Sequence, residues 1–568
     1  MHSCPVCDAA LHVQKTQTKS VVTLDIGAFR AKETVLFCPQ DQTTYHSQQL
    51  RSLVPDGGTF GFDIIVEAGL ALFVRCRNNL EIMQELAIKN VFISEREISY
   101  LGRKFIIYLA LAHRESQLCL RELLAKSGGY ILHVDGTCEG DSPNLFCGLD
   151  GISELVLDTI KIPSEKKELL IPFFQRIKEQ YGEPVALVHD MGRGIVAAVE
   201  AVFPTVKDFI CHFHFLRDTG KDLLLDEYTA FQKRLKKFKV RPLLRLRAKY
   251  LEQKIDPDPE MLDTILTSLE SGTWQTTAFE QIPQITTYLL IHWVFDYPRQ
   301  SNGYGFPFDR PHLDFYHRLQ KVHQLLGEIK DVHIRDSIKD KSLSQTYATF
   351  KAVVEDKKLN DLATSISRKT AVFDTLRTAM RIALPCSKDG INDNGDTDIK
   401  SIKVKVTAFR NWLVSNEQRK LTYAKLLGQL DKYWEKLFAD PLQVITPDGS
   451  VLHIQPQRTN NLLERFFRGE KRHSRKKSGT ASLSKEIKAV LADTPLVQNL
   501  KNDEYMDIVL NGCSNLAERF SQIDARLVQK EVEFAKNSRE KILPVIRDLI
   551  KYSDLTTKIS LLFSSSKT

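Results

Sequence analysis

The chain changes its hydrophobic rhythm several times along its length. Residues 1–50 alternate apolar and polar positions, as in VVTLDIGAF and ETVLFCP. A period of two belongs to a half-buried strand, so short strands are expected here. Over residues 58–127 the period lengthens to that of a helix. FGFDIIVEAGLALFVR reads as one helix, LEIMQELAIK as a second and SEREISYLGRKFIIYLALAH as a third. Ser94 and Glu97 have the spacing of a capping box at the start of that third helix. Residues 129–215 mix the two rhythms. YILHVD, LFCGL and ELVLDTIKI read as three consecutive strands, SEKKELLIPFFQRIKEQYG as an amphipathic helix and PVALVHD as a buried strand. GIVAAVEAVFP reads as a helix and DFICHFHF as a last strand. Residues 216–457 and 458–568 are helical by pattern, with CSKDGINDNGDTDIK (386–400) as an exposed loop.

A chain of 568 residues is too long for one compact domain, and three or four are expected. Hydrophobic content of 42% and charged content of 26% describe an ordinary soluble globular protein. The most apolar stretches, 60–74 and 105–112, are too short or too interrupted to span a bilayer. MHSCPVC is no signal peptide. Ten cysteines without a visible disulfide framework fit a reducing compartment, so a cytoplasmic, nucleoid-associated protein is expected. The net charge of +8 is a mild hint of a polyanionic partner. Its distribution says more. Between Thr229 and Leu251 stand nine bases and no acid: Lys233, Arg234, Lys236, Lys237, Lys239, Arg241, Arg245, Arg247 and Lys249. Lys471, Arg472, Arg475, Lys476 and Lys477 form a second cluster. Such runs are often solvated faces, but without compensating acids they suit a phosphate backbone.

Two carboxylates are placed where apolar runs end. Asp135 closes ILHVD before Gly136 and Thr137, and Asp190 closes VALVHD before Met191 and Gly192. Strand ends hold polar groups rigidly above a sheet, and carboxylates from adjacent strands can share divalent cations. Phosphodiester chemistry uses such a pair, one ion activating the attacking oxygen and the other stabilising the leaving one. Asp and Glu are the ligand types that Mg²⁺ takes. Glu464, in TNNLLERFFRGEKRHSRKKSG, is the best candidate for a third carboxylate, on a helix. Lys471 follows seven residues later on the same helix face, where it could hold a scissile or target-strand phosphate.

The set HVDGT, LVHDMG, CHFH and NNLLERFFRGEK resembles DDE transposases of the Mutator-like and related bacterial insertion-sequence groups. The resemblance covers roughly residues 1–480. It implies a multidomain α/β and α protein: an RNase H-like mixed-sheet core of order βββαβαβ, interrupted by a large helical insertion. Asp135, Asp190 and Glu464 would be the catalytic triad holding two Mg²⁺ (or Mn²⁺) ions. Cys211 and His214 match a Cys-x-x-His motif expected on the fifth strand, where they would support the active site, with His212 on the other strand face. A zinc half-site is the rival reading of that pair. Lys471 completes an E-x₆-K motif. The implied divisions are a zinc ribbon (1–50), a helix-turn-helix DNA-binding domain (58–127) and the first part of the core (128–220). A helical insertion domain (221–457), the Glu-bearing core helix (458–485) and a helical C-terminal region (486–568) follow.

Cys4-x₂-Cys7 and Cys38-x₂-Asp41 have zinc-ribbon spacing with Asp in the fourth place, and His46 or His12 could substitute. Three thiolates favour a closed structural Zn²⁺ site. In the helix-turn-helix reading of 58–127, the helix after Ser94 enters a major groove, with Arg96 near a base edge and Arg103 or Lys104 near phosphate. A plain helical bundle is the alternative. Trp274, Trp293, Trp412 and Trp434 fall in the insertion, where related transposases stack an aromatic on a flipped base. Core packing is the alternative for each, and Trp293 in LLIHWVF looks core-like. The expected function is a transposase that binds terminal inverted repeats in double-stranded DNA, cuts them by attack of water, and joins the freed 3′-hydroxyl to target DNA. It would act as a homodimer or larger assembly. The alternatives are a transposase-derived DNA-binding protein without catalysis, and an RNase H-fold nuclease without joining activity.

Overall fold

The computed structural model describes residues 3–255, 259–271, 282–297, 303–335, 341–384, 399–438, 440–479, 482–537, 553–555 and 557. The chain divides into two compact units: residues 1–208 with 441–568, and residues 209–440. The loop expected over 386–400 falls mostly outside the described residues, as does Trp274.

The first unit opens with a three-stranded sheet of β1 (His12–Thr23), β2 (Gly27–Phe37) and β3 (Thr44–Tyr45), in that order. One face is covered by α1 (Gln48–Leu53), with Val21, Leu50 and Val54 as a small core. Next come α2 (Phe62–Gly69), a π-helical turn at Leu70–Val74, α3 (Asn79–Ile88), α4 (Glu95–Glu115) and α5 (Gln117–Lys126). Ser94 accepts the Glu97 backbone N–H at 3.2 Å, as its spacing predicts. The reciprocal capping box forms one helix earlier, between Asn78 and Glu81.

A five-stranded sheet follows: β4 (Ile131–Thr137), β5 (Asn144–Asp150), β6 (Val156–Ile162), β7 (Ala186–His189) and β8 (Lys207–Ile210). Its order is β6-β5-β4-β7-β8. β4, β5 and β6 pair antiparallel, and β7 lies parallel to β4. The crossover helices are α6 (Lys167–Tyr181) and α7 (Arg193–Val202). Every residue of β5 is buried, which is why LFCGL shows no alternation. Phe146 on β5 meets Phe173 of α6 edge to face at 5.2 Å.

The second unit is helical: α8 (His212–Lys237), α9 (Val240–Glu252), α10 (Pro259–Ser271), α11 (Ile282–Phe295), α12 (Pro311–Arg335), α13 (Lys341–Val354), α14 (Lys357–Met380), α15 (Ile399–Val414), α16 (Glu417–Thr422) and α17 (Ala424–Leu437). The chain returns to the first unit with a hairpin, β9 (Leu442–Ile445) and β10 (Val451–Ile454). It ends in α18 (Asn461–Ser478), α19 (Ser484–Ala489), α20 (Asp503–Leu510), α21 (Leu516–Ser521) and α22 (Ala525–Asn537).

Three differences from the sequence reading have physical causes. The second unit spans 209–440 instead of 221–457, because α8 runs unbroken across residue 220 and the β9–β10 hairpin packs in the first unit. The segments 58–127, 128–208 and 486–528 share one hydrophobic core. α4 carries the apolar run FIIYLALA, buried from Phe105 through Ala112, so it must be covered on all sides. DFICHFHF does not continue as a strand past Ile210. Cys211 caps α8, and Leu216, Thr219, Gly220 and Leu224 are buried at helical spacing, which decides a segment whose alternation alone is ambiguous.

Candidate active site and N-terminal metal site

β4 and β7 are adjacent parallel strands paired as Ile131↔Ala186, Leu132↔Leu187 and His133↔Val188. Continued in phase, this pairing sets Asp135 level with Asp190, the residue that follows β7. Neighbouring strands run about 4.8 Å apart, so the two carboxylates arise side by side at the ends of buried strands. Asp135 is 9% exposed and Asp190 half-buried. The Gly136 N–H donates to Asp135 Oδ1 and the Gly192 N–H to Asp190 Oδ1, each at 2.8 Å. These bonds orient both carboxylates from the backbone.

Two histidines behind the carboxylates escaped the sequence reading. His189 is fully buried, and its ring bridges the Asp190 carbonyl (Nδ1, 2.6 Å) and the Asp208 carboxylate (Nε2, 3.1 Å). His133 is also fully buried, and its Nδ1 donates to Asn460 Oδ1 at 2.9 Å. Asn460 Nδ2 in turn donates to the Val134 carbonyl at 2.8 Å. Burial holds the His133 ring neutral by lowering its pKa to about 4. The signals were present: each Asp has a histidine one or two positions before it, and Asn460 opens the Glu464 helix.

Asn460 thereby fixes the start of α18 on β4, next to Asp135. Glu464 stands one turn along α18; its side chain lies outside the described residues. Lys471 is 3.8 Å from Glu139, in the loop after β4. Arg472, Arg475 and Lys476 are exposed. Lys477 is engaged within the fold, over the Phe73 ring at 5.0 Å and 3.8 Å from Glu486.

Cys4, Cys7, Cys38 and Asp41 converge, with one ligand atom of each within 4.8 Å of all the others. Among the described residues this is the one group of three or more His, Cys, Asp or Glu side chains so placed. Cys4 Sγ lies 3.0 Å from Asp41 Oδ2, and Cys7 Sγ 3.5 Å from Cys38 Sγ. Tyr45 donates its hydroxyl to Asp41 Oδ2 at 2.8 Å, and the Thr43 N–H donates to Oδ1 at 2.8 Å. Asp41, not His12 or His46, completes the group; His46 pairs instead with Glu33 at 3.2 Å. Three sulfurs and one carboxylate oxygen in a closed cluster suit a four-coordinate divalent metal.

The remaining candidates fall into two sets. Arg96 is exposed on the first turn of α4, while Arg103 and Lys104 are half-buried. Lys233, Lys236, Lys237 and Lys239 are exposed. Arg234 is clamped by Asp356 through two hydrogen bonds, of 3.1 and 2.5 Å. Arg241 lies over Phe315, Arg245 over Phe295 and Arg247 over Tyr250. The basic run therefore has an acid partner from distant sequence, and several of its arginines rest on aromatic faces. Trp293 is 41% exposed under the Arg318 guanidinium, not a core residue. Trp412 is equally exposed, beneath Arg419. Trp434 packs against Phe438. Cys211 and His214 are both buried at the start of α8, and burial lowers the His214 pKa to about 3. Neither belongs to a metal-holding group among the described residues.

Residues 148–290 match the family model described as transposase, Mutator family. The match includes Asp190, Cys211 and His214 and supports a Mutator-like transposase that acts on DNA. No curated protein matches the chain. Among the described residues, no helix is long and apolar enough to cross a membrane.

Proposed function

We propose that this protein is a DDE transposase with an RNase H-like core, whose active site is Asp135, Asp190 and Glu464. The observation that carries the reading is the β4–β7 pairing, which brings Asp135 and Asp190 level at the ends of adjacent parallel strands. The strand order β6-β5-β4-β7-β8, with β4 antiparallel to β5 and parallel to β7, supports the fold assignment. Anchoring of α18 to β4 through Asn460 supports Glu464 as the third carboxylate.

The donor set fits divalent cations: carboxylates at the mouth of a rigid sheet, backed by backbone N–H groups that fix their rotamers. Two Mg²⁺ or Mn²⁺ ions held there would supply Lewis acidity for hydrolysis and for strand transfer. Asp135 and Asp190, each fixed by a backbone N–H, would hold those ions together with Glu464. Lys471, exposed beside Glu139 in the loop after β4, offers a cation for a DNA phosphate, and Arg472, Arg475 and Lys476 extend it. His189 holds the Asp190 backbone and Asp208 holds His189, so the carboxylate enters the reaction already positioned. Arg96, with Arg103 and Lys104, contributes to recognition of the inverted repeats, and Lys233, Lys236 and Lys237 to phosphate contacts. Zn²⁺ at Cys4, Cys7, Cys38 and Asp41 is structural. Transposition pairs two ends, which calls for a dimer or larger assembly.

The test is Mg²⁺- or Mn²⁺-dependent cleavage and strand transfer on DNA carrying the ends of the encoding element, with binding measured in parallel. Asp135→Ala, Asp190→Ala and Glu464→Ala should each bind the ends and fail to cut. Wild-type protein that binds and never cuts would point to a non-catalytic DNA-binding protein. Cleavage without joining would point to a nuclease, and a Glu464→Ala variant that still cuts would remove Glu464 from the site.

A further inference from the structure

The β1–β2 ribbon carries an interface that its sequence pattern hides. Its strands pair as Thr16↔Thr34, Thr18↔Lys32 and Ser20↔Arg30 on one face, and as Gln17↔Glu33 and Lys19↔Ala31 on the other. The second face is covered. Val21, Phe29 and Ala31 pack with Leu50 and Val54, and Lys19 donates to the Pro55 carbonyl at 3.1 Å. Glu33, the one acid in either strand, points into this face. There it takes bonds from Gln17 (2.8 Å) and the Ser47 N–H (3.0 Å) and pairs with His46. The first face is open: Thr16, Thr18, Ser20, Arg30, Lys32 and Thr34 are all exposed.

This face therefore combines hydroxyls, an Arg and a Lys, with the one carboxylate of its two strands turned to the opposite side. Three facing pairs over five residues of each strand span about 13 Å, and a B-DNA major groove is about 12 Å wide and admits a two-stranded ribbon. Hydroxyls can bond to base edges or phosphate, whereas Arg and Lys suit guanine edges and phosphates. We propose that the open face of the β1–β2 ribbon docks in the major groove of double-stranded DNA, separately from the α4 helix. The inference rests on the DNA-acting function proposed above and names a second contact surface for it. The cysteine cluster joins the start of the chain to the far end of β2 and so holds the ribbon's free end together.

The experiment measures binding of end DNA and of a scrambled duplex by fluorescence anisotropy across a salt series. Wild type, Arg30→Gln/Lys32→Gln and Thr18→Val are compared, with thermal unfolding and metal content as controls on folding. The double variant should bind end DNA about tenfold or more weakly, with a log–log salt slope shallower by about two, one unit per lost phosphate contact. Thr18→Val should lower the preference for end DNA over the scrambled duplex. Folded variants with wild-type affinity, slope and preference would overturn the ribbon contact while leaving the transposase reading intact. Wild-type protein that binds neither duplex at low salt would overturn both.

Discussion

His113 shows how a single buried side chain can set the pH range of the fold. Its ring accepts from Tyr505 at Nδ1 (3.1 Å) and, through Nε2, meets the Leu157 carbonyl (3.1 Å) and Tyr181 (2.9 Å), tying α4 to β6, α6 and α20. Burial lowers its pKa to about 4, and that of His133 likewise. A folded-state pKa below the unfolded value of about 6.5 means that the unfolded chain takes up the proton first. Stability is then full above about pH 6.5 and is lost as pH falls toward 4. Asp493 works in the other direction: burial raises it to about 6, so protonating it favours the fold. The His113 contribution is lost as pH falls from about 6.5 toward 4, so the stability of His113→Gln in urea unfolding should fall less between pH 7 and pH 5 than that of the wild type.

Close approach imposes residue choices at the same scale. A Cβ on Gly194 would sit 1.8 Å from the Glu165 carbonyl oxygen, and one on Gly151 2.6 Å from His133 Nε2. Backbone cannot yield as a side chain can, so Gly194→Ala should be the more damaging. A loss of about 1–3 kcal/mol is expected for it in chemical denaturation. Glycine at these two positions could be read from the sequence; the reason for it could not.

At the scale of elements, α8 and α18 each carry a basic cluster, and tertiary packing sorts the members. Arg234 secures Asp356, the N-cap of α14, which also accepts the Leu359 N–H at 2.8 Å. Arg234→Ala should lower the thermal stability of the second unit, because Asp356 loses the guanidinium that clamps it. Lys236→Ala and Lys237→Ala remove exposed charge, so they should leave thermal stability within about 0.5 kcal/mol and weaken DNA binding instead. In α18 the decisive residue is Asn460. Asn460→Ala removes its bonds to the Val134 carbonyl and to His133 Nδ1, and a cost of about 1–3 kcal/mol in urea unfolding is expected, with loss of metal-dependent cleavage. The sequence showed these helices and their charge. It could not show that Asp356 would meet Arg234, since the two stand in different helices and nothing local links them.

For the molecule as a whole, the N-terminal sheet stands out for the small core of its own, Val21, Leu50 and Val54 with Phe29 and Ala31 packed against it. A region with so little buried apolar surface depends on cross-links or metal. Zinc should therefore copurify with the protein at one equivalent, read by elemental analysis. Cys38→Ser or a strong chelator should open residues 3–47 to proteolysis while the five-stranded sheet, with its large shared core, stays resistant. Protein that is metal-free yet protected over these residues would show that the cluster closes without an ion.

The sequence by itself determined the local facts. These are the apolar runs that end at Asp135 and Asp190, the cap at Ser94, the Cys4–Cys7 and Cys38–Asp41 spacings, and the helical insertion between the halves of the core. Each follows from periodicity or chain stereochemistry over a few residues. Tertiary structure decided what distant segments do to one another. It set Asp135 level with Asp190, joined α4 to the sheet in one core, ended β8 at Ile210, exposed Trp293, gave Arg234 its carboxylate and turned Glu33 away from the open ribbon face. These outcomes depend on strand register and on which surfaces are left to be covered, and both arise only when segments far apart in the chain compete to bury the same apolar surface.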